Sequence, residues 1–88
     1  MRINENFILQ EVADEFIVVP VGEAADRLCG VIRLNDTGAF IWKKLEEGNL
    51  EQEDLVQELL TEYPSEINKA RKDVEAFIQK LTQMGCLL

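Results

Sequence analysis

Two runs of apolar, β-branched and aromatic residues near the start of the chain predict two β-strands. They span residues 7–12 and 16–21, and their composition is typical of a half-buried pleated surface. The polar residues 14–15 separate the runs and predict a short turn, so that the two strands form a hairpin. Pro20 has no N–H for a ladder, which predicts a strand end or a sheet edge at this position.

A third strand is predicted over residues 28–34, after a polar loop at residues 22–27. Side chains alternate between the two faces of a strand, so Ile32 and Leu34 on the core face would place Arg33 on the opposite face. A sheet of three strands has two edges, and the unpaired backbone groups of an edge are a template for another strand.

Three helices are predicted over about residues 36–45, 51–63 and 65–84, from apolar positions spaced three and four residues apart. Asn35 and Ser65 are the predicted N-caps, because their side-chain oxygens can accept from the first free amides of a helix. The glycines predicted to end the first and last helices are Gly48 and Gly85.

These elements predict an α+β fold in which residues 1–88 form a single domain. A three-stranded antiparallel N-terminal sheet is followed by three helices, which cover one face of the sheet. The open edges of this small sheet predict a protein that binds another strand.

Charge narrows the classes of partner. Nine basic and seventeen acidic residues give a formal net charge of −8, which argues against binding of nucleic acid or anionic lipid. Seven acids and no base lie within residues 46–62, whereas the last predicted helix contains several basic residues. The acidic stretch is either a solvated helix face that keeps the protein soluble or a docking surface for a basic partner.

The sequence contains no recognisable catalytic or cofactor-binding motif. It has no histidine and only two isolated cysteines, Cys29 and Cys86, so it offers neither a Cys–His nucleophile nor a zinc-ligand pattern. Glycine-rich phosphate-binding motifs are absent too. We therefore expect a protein that is not an enzyme and that holds no cofactor or metal. A polar N-terminus and the lack of a long apolar run predict a cytoplasmic location, with reduced cysteines.

The junction of the third strand and the first helix has a distinctive sequence, Val31-Ile32-Arg33-Leu34-Asn35-Asp36-Thr37-Gly38-Ala39-Phe40-Ile41-Trp42. It resembles the signature of the PqqD family, a strand that runs into L-N-x-T-G-x-x-I-W. The acidic second helix and the last helix with its apolar tail are similar to the family as well, so the resemblance covers nearly the whole chain. From the residues alone, the signature has a structural role. Leu34, Ile41 and Trp42 are predicted core residues, and Thr37-Gly38 is predicted to let the helix and the sheet approach closely.

The resemblance implies a winged-helix-like domain that recognises ribosomally made, post-translationally modified peptides. Such domains bind the leader of a precursor peptide as an added strand beside the third β-strand, in a groove walled by the third helix. They deliver it to a modifying enzyme, often a radical SAM protein. The namesake acts in the biosynthesis of pyrroloquinoline quinone, which it does not use as a cofactor. The implied partners are a precursor peptide and a modifying enzyme.

The peptide-binding residues predicted on this basis lie on the third strand and the last helix. Gly30 either leaves room for an incoming strand or is a bulge or packing glycine. Lys69 and Lys72 either favour an acidic leader together with Arg33 or are solvated surface residues. The full set is Leu28, Cys29, Gly30, Val31, Ile32, Arg33, Lys69, Lys72, Asp73, Ala76 and Lys80.

Other functions fit the same elements. A winged-helix DNA-binding domain would look similar, but it needs a basic recognition helix, and here the second helix is acidic and the third has mixed charge. An adaptor would dock an enzyme through the acidic helix without contacting a peptide. Self-association through the open sheet edge would give a homodimer in which the proposed groove is blocked.

Overall fold

A computed structural model describes residues 1–27, 31–48 and 50–88. The predicted α+β, winged-helix-like fold is confirmed, with an antiparallel three-stranded sheet in the first part of the chain and the long helices after it. The elements, in chain order, are β1 (Phe7–Val12), β2 (Glu15–Pro20), α1 (Glu23–Arg27), β3 (Ile32–Leu34), α2 (Asp36–Glu47), α3 (Gln52–Glu62) and α4 (Ile67–Gln83).

β1 and β2 form the predicted hairpin, with its turn one residue earlier than the sequence indicated. Ala13 and Asp14 have φ angles of 49° and 68°, the left-handed pair that a two-residue turn needs to match the twist of its strands. β3 pairs antiparallel with β2, and the strand order is β1-β2-β3. Within the described residues, β1 and β3 each have one strand neighbour, so each has an open edge.

One face of the sheet packs against the helices. Phe7, Val18 and Ile32 are buried on this face and belong to the same core as the apolar stripes of the helices. Ile41 and Trp42 are buried as predicted, and the other large, fully buried side chains of the helices are Leu45, Leu55, Val56, Val74 and Leu81. Burial of this single apolar face, while the other side of the sheet stays uncovered, determines which side chains remain available for binding.

Two predictions about the middle of the chain are wrong. Residues 22–27, predicted as a loop, contain the short helix α1, so four helices are described and not three; α1 buries Ala24 in the core. The strand β3 is shorter than predicted, because it begins at Ile32 and leaves the exposed Val31 outside it. The predicted strand positions 28–30 lie outside the described residues.

The helix caps follow the sequence with one exception. The N-cap of α4 is Glu66 and not Ser65: a Glu66 carboxylate oxygen accepts from the Lys69 N–H at 3.0 Å. A carboxylate at this position also has the sign of charge that the amino end of a helix favours. Gly48 follows the last residue of α2 as predicted, but in an extended conformation with φ of 178°.

The segments at residues 1–6 and 85–88 pair with each other beside the core. Ile3 and Leu87 form an isolated antiparallel bridge, and the Asn4 N–H donates to the Cys86 carbonyl at 2.8 Å. Gly85 makes the sharp bend after α4 with φ of +79°, as a glycine after a helix is expected to do. The apolar tail therefore folds back onto the core and buries the Cys86 side chain.

Candidate functional site

A groove of about 290 Å³ separates the start of α2 from the exposed face of α4, and we call it the α2–α4 groove. Its floor is apolar and its rim carries polar and charged side chains, a combination typical of binding sites for peptides and small molecules. The lining residues are Asn35, Thr37, Gly38, Ile41, Leu59, Asp73, Ala76, Phe77 and Lys80.

The start of α2 forms the first wall of this groove. The Asn35 side-chain oxygen accepts from the Gly38 N–H at 2.8 Å and from the Thr37 hydroxyl at 3.0 Å, and so holds the first turn in place. A Cβ atom on Gly38 would lie 3.2 Å from the Phe77 ring and 3.5 Å from the Leu34 Cβ. The absence of a side chain at Gly38 thus allows α2, α4 and β3 to meet closely, as the sequence predicted for helix and sheet.

α4 forms the second wall. Val74, Ile78 and their neighbours on the same stripe are buried, so the residues beside that stripe face outward. Three of the predicted peptide-binding residues, Asp73, Ala76 and Lys80, lie together along the groove. The two other predicted helix residues, Lys69 and Lys72, are exposed on α4 but do not line the groove.

The open edge of β3 presents the backbone of Arg33. Along an antiparallel strand, successive residues direct their N–H and C=O groups alternately to one side and to the other. In β1, the Phe7 N–H donates to the Asn4 carbonyl at 3.1 Å and so points away from β2. Carried through the register of the three strands, this alternation turns the N–H and C=O groups of Ile32 and Leu34 toward β2. The N–H and C=O of Arg33 then point toward the open edge, where an added strand would pair with them.

The side chains on β3 have different surroundings. Ile32 is 7% exposed, and its side chain packs in the core and anchors β3 to the helices. Arg33 is exposed on the opposite face of the sheet, away from the helices, as predicted by alternation. Val31, just before the strand, is 52% exposed. The predicted binding residues Leu28, Cys29 and Gly30 lie outside the described residues.

The two charged side chains that line the groove are unpaired within the described part of the chain, since none of the ion pairs there involves Asp73 or Lys80. The ion pair between α3 and α4 lies elsewhere: the Arg71 guanidinium donates to the Glu53 carboxylate at 2.9 Å. This hydrogen bond lowers the pKa of Glu53 from its ordinary value of 4.5. The polar rim of the groove is thus free to bind a ligand of either charge.

Sequence reasoning missed one wall of the groove. Asn35, Thr37 and Gly38 were assigned structural roles only, although they line the groove opposite α4. The signal that marks them is their place directly after the edge strand, where a helix start adjoins any strand added to β3. Their conformation is structural, and their position makes them part of the candidate site as well.

None of the described helices is both long and apolar enough to cross a membrane. Among residues 1–27, 31–48 and 50–88, no group of three His, Cys, Asp or Glu side chains is arranged so that it could hold a metal ion.

Comparison with known proteins finds one family model and similar solved structures. The family model of coenzyme PQQ synthesis protein D (PqqD) matches residues 15–87. Among solved structures, TbiB1 in complex with the TbiA(β) leader peptide is similar with a TM-score of 0.79 and 22% identity, covering 99% of this chain and 94% of that chain. Lasso peptide synthetase B1 complexed with the leader peptide has a TM-score of 0.76 and 24% identity, covering 99% and 95%. No curated protein sequence matches this chain.

Proposed function

The chain belongs to the PqqD family, and from this premise we propose that it is a non-catalytic module that binds the leader segment of a ribosomally made precursor peptide. The module presents the leader to a modifying enzyme, for which a radical SAM protein is the expected class. The observation that supports the proposal most directly is the open edge of β3 beside the α2–α4 groove. Both similar structures, TbiB1 and lasso peptide synthetase B1, were solved with leader peptides, which supports the same role here.

The binding mode follows from the geometry of the β3 edge. An extended leader segment adds a fourth strand, and the N–H and C=O of Arg33 pair with its backbone. Main-chain hydrogen bonds of this kind give affinity without sequence preference. Alternate side chains of the added strand point to opposite faces, so every second one turns toward α4 and the groove.

Selectivity then comes from the groove. The apolar floor, which includes Ile41 and Phe77, accepts an apolar side chain of the leader. Asp73 and Lys80, about two helical turns apart on α4, place opposite charges on either side of that apolar side chain. Arg33, with its side chain on the other face of the sheet, contacts the alternate side chains of the added strand. The roles of Leu28, Cys29, Gly30, Val31, Lys69 and Lys72 remain predictions from the sequence.

Three further predictions concern the location and the partners of the protein. A cytoplasmic location, a modifying enzyme of the radical SAM class and a homodimer through a sheet edge remain predictions. Because β1 and β3 each have an open edge within the described residues, pairing of two β3 strands would block the proposed site, whereas pairing of two β1 strands would leave it accessible. The DNA-binding alternative gains no support, since the exposed face of α3 is acidic.

The test is a titration of the ¹⁵N-labelled protein with the leader peptide encoded nearest its gene. We expect saturable shifts of the Arg33, Ala76 and Phe77 backbone amides. In the variant Ala76→Leu, a larger side chain occupies the groove, and the affinity for the leader should fall about tenfold or more.

Ala25→Leu provides the matched control, because Ala25 is also an exposed helical alanine but lies on α1, away from the groove. It should bind the leader as the unchanged protein does. Equal binding by Ala76→Leu would show that the groove is in the wrong place. Binding of the enzyme without any shift by the leader would favour the adaptor.

A further inference from the structure

A second groove in the described part of the chain lies at the other edge of the sheet, and we call it the β1 groove. Its volume is about 490 Å³, and it runs between β1, the segment before β1 and the last turn of α2. Phe7, Leu9 and Leu45 provide apolar lining, and acidic side chains stand at its margin. It shares no lining residue with the α2–α4 groove.

The β1 edge can pair with another strand. The Phe7 N–H points away from β2, and the alternation of an antiparallel ladder turns the N–H and C=O groups of Leu9 and Glu11 the same way. No described strand lies on that side of β1. Protected edges commonly contain a lysine or proline, but β1 has neither, and its Ile8 is 44% exposed and Val12 53% exposed.

The charge around this groove determines what can occupy it. Glu5 and Glu46 line the groove, and Glu11 extends its acidic margin along β1. Arg2 is the single base among the lining residues. The stretch of seven acids without a base, residues 46–62, begins at this groove and continues onto α3. An occupant with basic side chains is therefore favoured.

A second copy of this chain is a poor occupant of the β1 groove, which favours basic side chains. Each copy has a net charge of −8, and pairing two β1 edges would bring the acidic margins of both copies together. A leader strand on β3 would not compete for the groove, since the two sites share no residue.

We propose that the β1 groove binds an extended segment of a partner protein that presents both apolar and basic side chains on the face toward the groove. The segment pairs with the outward backbone groups of Leu9 and Glu11. Among its groove-facing side chains, the apolar ones fill the groove and the basic ones meet Glu5 and Glu46. The inference does not depend on leader binding at β3, and it allows the protein to hold two polypeptides at once, one on each sheet edge.

The probe is an end-blocked heptapeptide with a lysine at each end, in which two valines share the face of the lysines and three threonines occupy the other face. It is titrated at low ionic strength into the ¹⁵N-labelled protein. We expect saturable shifts of the Leu9 and Glu11 amides, and binding about tenfold weaker or more for the same peptide with glutamate in place of lysine. The double variant Glu5→Lys with Glu46→Lys should lose about tenfold in affinity for the lysine peptide.

The matched control is Glu62→Lys with Glu75→Lys, which changes the net charge equally at exposed positions that do not line the groove. It should bind the lysine peptide nearly as well as the unchanged protein. An equal loss in both double variants would indicate unspecific attraction and overturn the proposal. So would shifts confined to Arg33 and α4, a dimer that buries β1, or no binding at all. Failure of leader binding at β3, by contrast, would leave these expectations unchanged.

Discussion

Gly85 and Gly48 both follow a helix, but only one of them needs to be glycine. Gly85 has φ of +79°, in the left-handed region, whereas Gly48 has φ of 178°, which any residue adopts. Neither position is crowded, because an added Cβ would have no neighbour within 4 Å. The two sites therefore differ in backbone conformation alone.

We expect Gly85→Ala to lower the free energy of unfolding by about 1 kcal/mol, the cost of a left-handed conformation for an L-residue. Gly48→Ala should change it by less than about 0.5 kcal/mol, because the extended backbone is unstrained and the unfolded chain loses freedom. Urea denaturation of both variants measures the difference. Equal effects would contradict the strained bend after α4.

At the scale of elements, α3 and α4 are joined by the exposed pair Glu53 and Arg71. The hydrogen bond from Arg71 lowers the pKa of the Glu53 carboxyl, so the folded state favours the charged form. The resulting stabilisation is present above the carboxyl's ordinary pKa of 4.5 and is lost as the pH falls through its lowered value. It is small, since both side chains are exposed to solvent.

The variant Arg71→Gln should thus be less stable than the unchanged protein at pH 7, and the difference should shrink as the pH falls below the ordinary pKa of Glu53. Added salt should shrink it too. Thermal unfolding at several pH values, in a double-mutant cycle with Glu53→Gln, isolates the pair. A difference that persists at acidic pH would assign the effect to packing of the arginine stem.

Elements with strong local patterns were predictable, and those formed by tertiary contacts were not. The hairpin strands and α2 to α4 follow from apolar periodicity and from the cap at Asn35. α1 has only five residues, too few to show a period, and it depends on the packing of Ala24 against the core. In the groove, spacing on α4 predicted that Asp73, Ala76 and Lys80 share a face. No local pattern showed that Gly38, distant in sequence, faces them.

At the scale of the whole molecule, the burial of Cys86 depends on how the C-terminal tail packs against the rest of the fold. Its side chain is fully buried, and burial raises the pKa of its thiol to about 11. Since the unfolded thiol ionises near 9.0, the folded protein binds more protons between these values. The contribution of Cys86 to stability is therefore complete below pH 9.0 and is lost as the pH rises toward about 11.

A Cys29→Ser variant leaves Cys86 as the single thiol, and iodoacetamide should alkylate it only when the chain opens. At pH 8 we expect labelling at least ~1000-fold slower than that of an unfolded control in urea, because the reagent needs an exposed thiolate. Adding Asn4→Ala removes the 3.1 Å hydrogen bond from the Asn4 side-chain amide to the Gly85 carbonyl, and this change should speed labelling several-fold. Labelling of the first variant at the rate of a free thiol would mean that the tail leaves the core without global unfolding, and the pairing of residues 1–6 with residues 85–88 would then contribute little to the stability of the fold.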